Sequence, residues 1–189
     1  SFWIDQTPFL IDAGVGTYTR QTFSKDRYTI WTMQSNYHNL PLINGVPQKY
    51  GATYKATQVQ ADKRKNTFTA NIATAYPAEA EVESWIRSYS LQKGQLRISD
   101  SFRLTTAKQP NQINFMTWGQ VNTEIPGLEV KGKKAFIEYD KQLFDVKTET
   151  IPLTAPRLSN VWGKSIYRIT LTATNIYKTG NYSFIIKKQ

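Results

Sequence analysis

The chain has 189 residues, with 24 lysines and arginines against 14 acidic residues, for a net charge of +10. The absence of cysteine excludes disulfides, thiol nucleophiles and thiolate-ligated zinc, and no apolar run approaches the roughly 20 residues a membrane-crossing helix needs. Aromatic residues make up 13% of a chain long enough to bury one substantial core, which excludes a disordered polymer.

Ser1-Phe2-Trp3 opens the chain in strand-like sequence, with no methionine and no signal-type segment, so a fragment of a longer polypeptide is expected. Asp12, followed by Ala13-Gly14, reads as a residue that fixes a turn with its side chain. Residues 34–38 read as a strand. On a regular strand Gln34, Asn36 and His38 would share one face, with Tyr37 on the other, toward the core. Asn44-Gly45 marks a tight reversal, because both residue types tolerate positive φ.

Residues 73–84 are rich in helix formers but are interrupted by Pro77. They read as a loop with room for a short helical turn, leading into a strand over 82–91. Lys93-Gly94, Lys131-Gly132 and Thr179-Gly180-Asn181 read as further turns. Pro126, Pro152 and Pro156 punctuate loops, the longest of which spans 150–160. Residues 95–104 alternate apolar and polar side chains, and 167–171 and 182–186 repeat that period of two, the mark of strands with one face buried. The expected fold is one all-β domain over 1–189, a large two-sheet antiparallel β-sandwich with aromatic inner faces and all five tryptophans in the core.

Charge and proton chemistry both point to the first third of the chain. Between Arg20 and Lys65 stand eight basic residues against Asp26 and Asp62, which supplies six of the ten net positive charges. Such a field attracts polyanions. His38 is the only histidine, and an imidazole is the side chain whose ordinary pKa suits proton transfer near neutrality. Its alternative role is a hydrogen-bonded packing residue.

The succession Pro8-Phe9-Leu10-Ile11-Asp12-Ala13-Gly14, Tyr18, Tyr37-His38-Asn39-Leu40-Pro41-Leu42-Ile43-Asn44-Gly45-Val46-Pro47-Gln48, Trp85-Ile86-Arg87 and Ile98-Ser99-Asp100-Ser101-Phe102 resembles the C-terminal β-sandwich of the heparinase II/III-like polysaccharide lyases. The closing stretch from Trp162-Gly163-Lys164 to Arg168-Ile169 is similar to that domain's last strands. The resemblance implies a lyase that cleaves acidic, uronate-containing polysaccharides such as heparin or heparan sulfate by β-elimination, in a periplasmic or secreted setting.

It also implies a partner domain, the enzyme's own N-terminal α/α toroid, which carries the other main catalytic groups. By resemblance His38 is the cleft histidine, as base or as donor to the substrate carboxylate. Gln34, Asn36, Asn39, Arg20, Arg27 and Lys49 are candidate substrate contacts. Asn39 is equally open to an anchoring role, and solvated surface is the alternative for each cation. Some members hold zinc through two histidines and an aspartate. With one histidine that set is incomplete here, so no cofactor is expected, although a structural metal ion of another kind is left open. The family's turn often carries aspartate before glycine where this chain has Asn44. A noncatalytic carbohydrate-binding module is the competing function. Nucleic acid is not an expected partner, since neither a recognition helix nor an RNA-binding aromatic motif is present.

Overall fold

The computed structural model describes residues 1–92, 94–122, 127–130 and 133–188. Lys93, Pro126 and the Lys131-Gly132 turn lie outside the described residues. In chain order the strands are β1 (Phe2–Ile4), β2 (Thr7–Leu10), β3 (Pro41–Leu42), β4 (Thr57–Asp62), β5 (Thr67–Asn71), β6 (Val82–Gln92), β7 (Gln95–Leu104), β8 (Gln112–Thr117), β9 (Gln120–Asn122), β10 (Gly127–Val130), β11 (Lys133–Glu138) and β12 (Phe144–Pro152). The helix α1 (Pro156–Trp162) follows, then β13 (Ser165–Ala173) and β14 (Thr179–Lys188).

Two antiparallel sheets form the sandwich. The larger has eight strands in the order β4-β5-β6-β7-β14-β11-β10-β9, and the smaller has four in the order β12-β13-β8-β3. The expected period of two appears directly in β7, where Ile98, Phe102 and Leu104 are buried while Arg97, Ser101 and Arg103 are not. Inward side chains of both sheets share one core, and Phe115 of β8 meets Phe184 of β14 edge to face at 5.4 Å. That geometry suits the ring quadrupoles. Trp85 stacks on Phe102 at 4.8 Å and is fully buried.

Three sequence expectations are corrected. Thr179-Gly180-Asn181 is not a turn but the start of β14, paired with β7. Its glycine is needed because a Cβ there would stand 2.8 Å from the Phe102 ring. The 150–160 segment is not one loop, since β12 runs to Pro152 and α1 starts at Pro156, with proline at the position where its missing N–H costs nothing. Trp3 is exposed rather than in the core. The Asn44-Gly45 reversal holds, with φ of 52° and 78° and a bridge between Ile43 and Val46. Residues 73–84 contain two short 3₁₀ turns, at Ala73–Ala75 and Ala78–Ala80.

Candidate functional site

Residues 34–38 do not form a strand. From Gln21 to Tyr37 the chain winds through four 3₁₀ turns, Gln21–Phe23, Lys25–Thr29, Trp31–Met33 and Ser35–Tyr37, and His38 ends the last of them. Their closing bonds run from each amide to the carbonyl three residues earlier. This string of turns builds one wall of a cleft of about 690 Å³, and the loop after the Asn44-Gly45 reversal builds the other. The Gln48 amide donates to Ser35 Oγ at 2.9 Å and ties the walls together.

Gln34, Asn36, His38 and Lys49 all line this cleft, together with Tyr28 and Tyr50. Gln34, Asn36 and His38 meet there through tight turns rather than through the expected strand face. Arg20 is exposed outside the cleft lining. Arg27 is also outside it, with its guanidinium 5.5 Å from the ring centre of Tyr28. Tyr37 packs edge-on against Trp31 and lies under the Arg168 guanidinium at 4.4 Å.

Both ring nitrogens of His38 are engaged. Nδ1 lies 2.9 Å from Asp12 Oδ2, and Nε2 lies 3.2 Å from the Thr32 carbonyl oxygen. Both partners are acceptors, so only the imidazolium, with a proton on each nitrogen, satisfies the pair of contacts. The hydrogen bond to Asp12 raises the His38 pKa above its ordinary value, and partial burial opposes the rise. Asp12 is depressed to about 2, first by the hydrogen bond from His38, against burial, and with help from the Gly14 amide. Asp12 thus has two tasks. Oδ1 accepts from Gly14 N–H at 2.9 Å and closes the expected turn, while Oδ2 holds the imidazole.

Asn39 is placed differently. Its Nδ2 donates to the Ile11 carbonyl at 2.9 Å, and its Oδ1 accepts from the Met116 amide at 2.8 Å. The side chain is therefore bonded to two other segments of backbone, and it fixes Ile11, the residue before Asp12, beside the His38 turn. Under it, Arg87 Nη1 donates to the Asn39 carbonyl at 2.9 Å. Arg87 is fully buried and paired with Asp100 through Nε and Nη2, at 2.7 and 2.6 Å. Burial opposes charge on Arg87, but the Asp100 carboxylate outweighs it and the net shift is upward. On the outer side, Arg168 Nη1 donates to the Asn36 carbonyl at 3.2 Å while Nη2 pairs with Glu149 at 2.6 Å.

In the sequence, Trp85-Ile86-Arg87 and Ile98-Ser99-Asp100 stand only as motif strings. A basic and an acidic residue at inward positions of neighbouring strands were the available signal for this pair. No comparable signal joined Asp12 to His38, or Tyr28 to Tyr50. Asn44 shows why an amide stands at the turn. Its Nδ2 donates to Ala80 and Thr106 carbonyls at 2.9 and 2.8 Å, and its Oδ1 accepts from the Lys108 amide at 2.9 Å. Among the described residues no three His, Asp or Glu side chains converge as a metal site.

No family model matches the sequence, and no curated relative matches it. Fold comparison does find similar structures. Heparan sulfate lyase HepC from Pedobacter heparinus superposes with a TM-score of 0.67 at 14% identity, over 97% of this chain and 29% of that one. A mutant of the same enzyme gives a TM-score of 0.68 at 13% identity over the same shares. The chain thus spans well under half the length of the lyase it matches, and at such identity the likeness is one of fold: this all-β sandwich is built like a portion of HepC.

Proposed function

We propose that the chain is the β-sandwich part of a polysaccharide lyase that cleaves an acidic, uronate-containing polysaccharide such as heparan sulfate by β-elimination. The observation that carries this reading is His38 on the wall of an open cleft, with Nδ1 pinned by Asp12, in a fold built like part of a heparan sulfate lyase. In this reading a further domain, the α/α toroid that the sequence resemblance implies, is the partner that covers the cleft and supplies the remaining proton-transfer groups. A periplasmic or secreted site of action belongs to the same proposal.

The chemistry assigns His38 a defined part. A lyase removes the C5 proton of the uronate and expels the C4 substituent, and negative charge builds on the carboxylate as the proton leaves. An imidazolium held by Asp12 brings positive charge to that carboxylate, turning Nε2–H from the Thr32 carbonyl to the substrate. A preorganised donor of this kind is worth roughly 3–4 kcal/mol of transition-state stabilisation. In this role His38 is the carboxylate's neutraliser, and the base that takes the C5 proton lies on the covering domain.

The test uses the full-length polypeptide and follows the absorbance of the 4,5-unsaturated uronate product. His38→Ala is expected to cut turnover by about 10²–10³-fold while heparan sulfate binding persists. Unchanged turnover would overturn the assignment. A second reading, a noncatalytic carbohydrate-binding module, is favoured by one observation: both nitrogens of His38 already have partners within the chain. A full-length protein that binds the polymer but yields no unsaturated product would establish it.

A further inference from the structure

No tryptophan lines the cleft, yet it holds another aromatic feature. Tyr28, from the Lys25–Thr29 turn, and Tyr50, from the opposite wall, lie with ring centres 3.6 Å apart and planes only 5° from parallel. Both line the same cleft as His38. Tyr28 has one face against Tyr50 and the Arg27 guanidinium 5.5 Å from its centre, whereas Tyr50 is 55% exposed. The aromatic surface still open to a ligand is therefore that of Tyr50.

We propose that Tyr50, backed by Tyr28, is the stacking platform for a pyranose ring of an anionic saccharide bound in the cleft. The inference deepens the lyase reading and rests on it for the class of polymer. An aromatic face carries negative charge density and attracts the polarised C–H groups of a sugar ring. The tight Tyr28 contact fixes the platform before a ligand arrives, so little ordering is left for binding to impose. In the same lining Asn36 offers an amide to ring hydroxyls, and so does Gln34, whose Nε2 also donates to the Thr29 carbonyl at 3.2 Å. A cleft of about 690 Å³ lies within the roughly 300–1,000 Å³ of small-ligand sites.

The charge of the two contributing segments sets the ligand's sign. Residues 25–29 and 47–55 carry Lys25, Arg27, Lys49 and Lys55 against Asp26 alone, and Lys49 lines the cleft. Single-stranded nucleic acid also combines rings with negative charge. It is held, however, by successive platforms for successive bases, and this cleft offers one open ring face.

The experiment titrates the 189-residue chain with a heparan sulfate tetrasaccharide, an uncharged oligosaccharide of equal length and a short oligothymidylate, using calorimetry. Tyr50→Ala is expected to weaken the tetrasaccharide by roughly three- to tenfold, the range of a stacked aromatic contact, and Tyr50→Phe to leave it unchanged. Tyr50→Leu keeps apolar bulk without a π face, so it reads the same loss if the alanine variant fails to fold. Wild-type affinity in Tyr50→Leu would overturn the proposal. So would tighter binding of oligothymidylate or of the uncharged oligosaccharide. The readout is binding, so a lyase reading that fails on turnover would leave the platform standing, and a failed platform would leave His38 untouched.

Discussion

Asp100 grips Arg87 side-on in the interior of the large sheet, through bonds of 2.7 and 2.6 Å, and the remaining nitrogen of Arg87 reaches the carbonyl of Asn39. The pair belongs to β6 and β7, yet what it holds is the residue after His38. Asp100 also accepts from Trp85 Nε1 at 2.8 Å, so the carboxylate is satisfied on several sides. The position of the candidate site is thus set from within the core.

Removing one partner of that pair leaves an uncompensated charge in a dry interior. Arg87→Met and Asp100→Leu, taken singly, are each expected to destabilise the fold by about 3–5 kcal/mol, and the double replacement to recover part of the loss. Denaturant unfolding of the three variants checks this. A single variant within about 1 kcal/mol of wild type would mean the charge is not enclosed.

The imidazole of His38 is the chain's only one, so its proton resonance titrates without overlap. Asp12→Asn should move that midpoint downward, because the hydrogen bond to Asp12 is the main cause of its rise. The signs for stability follow from the two shifts. His38, raised in the folded state, contributes fully below its ordinary value of 6.5 and loses the contribution as pH climbs through the raised value. Asp12 contributes fully above its ordinary 3.8 and loses the contribution as pH falls toward about 2. The stability gap between wild type and Asp12→Asn should therefore be widest between those two ordinary values and narrow on either side. Its height should stay below about 1 kcal/mol, since the Asp12 carboxylate is half exposed and solvent screens the pair.

Asn39→Ala strips the Ile11 carbonyl and the Met116 amide of their partner at once. A loss of about 1–3 kcal/mol is expected from stranded polar groups, with broadening of the His38 resonance as the turn loosens. Thermal melting and proton spectra check both parts. An unaltered melt would show that water replaces the side chain at no cost.

Gly180→Ala brings a methyl group to 2.8 and 2.9 Å from the Phe102 ring, which is itself stacked on Trp85 and unable to yield freely. Overpacking of this kind costs about 1–3 kcal/mol. Gly16→Ala is the control, since its Cβ would meet only ordinary contacts at 3.8 and 4.0 Å. Unfolding midpoints of the two variants should separate clearly.

The sheets were legible where one face is buried and the other wet, as at 95–104, because alternation then writes the burial into the sequence. Thr179-Gly180-Asn181 misled because a glycine admitted for the Phe102 ring looks the same as one admitted for positive φ. The cleft wall was harder still. Its 3₁₀ turns impose no long periodicity, so residues 34–38 passed for a strand. The site's partners are far apart in sequence: Asp12 and His38 by 26 positions, and Asn39 and Met116 by 77. A motif showed His38, but only the folded chain shows what holds it.

The stretch from Gln21 to Tyr37 closes its backbone bonds on itself, and side chains such as Ser35 and carbonyls such as that of Asn36 tie it to the sandwich. No strand of either sheet passes through it. Substitutions within it therefore re-register no strand, and this wall of the cleft can change shape while the layered scaffold stays as it is.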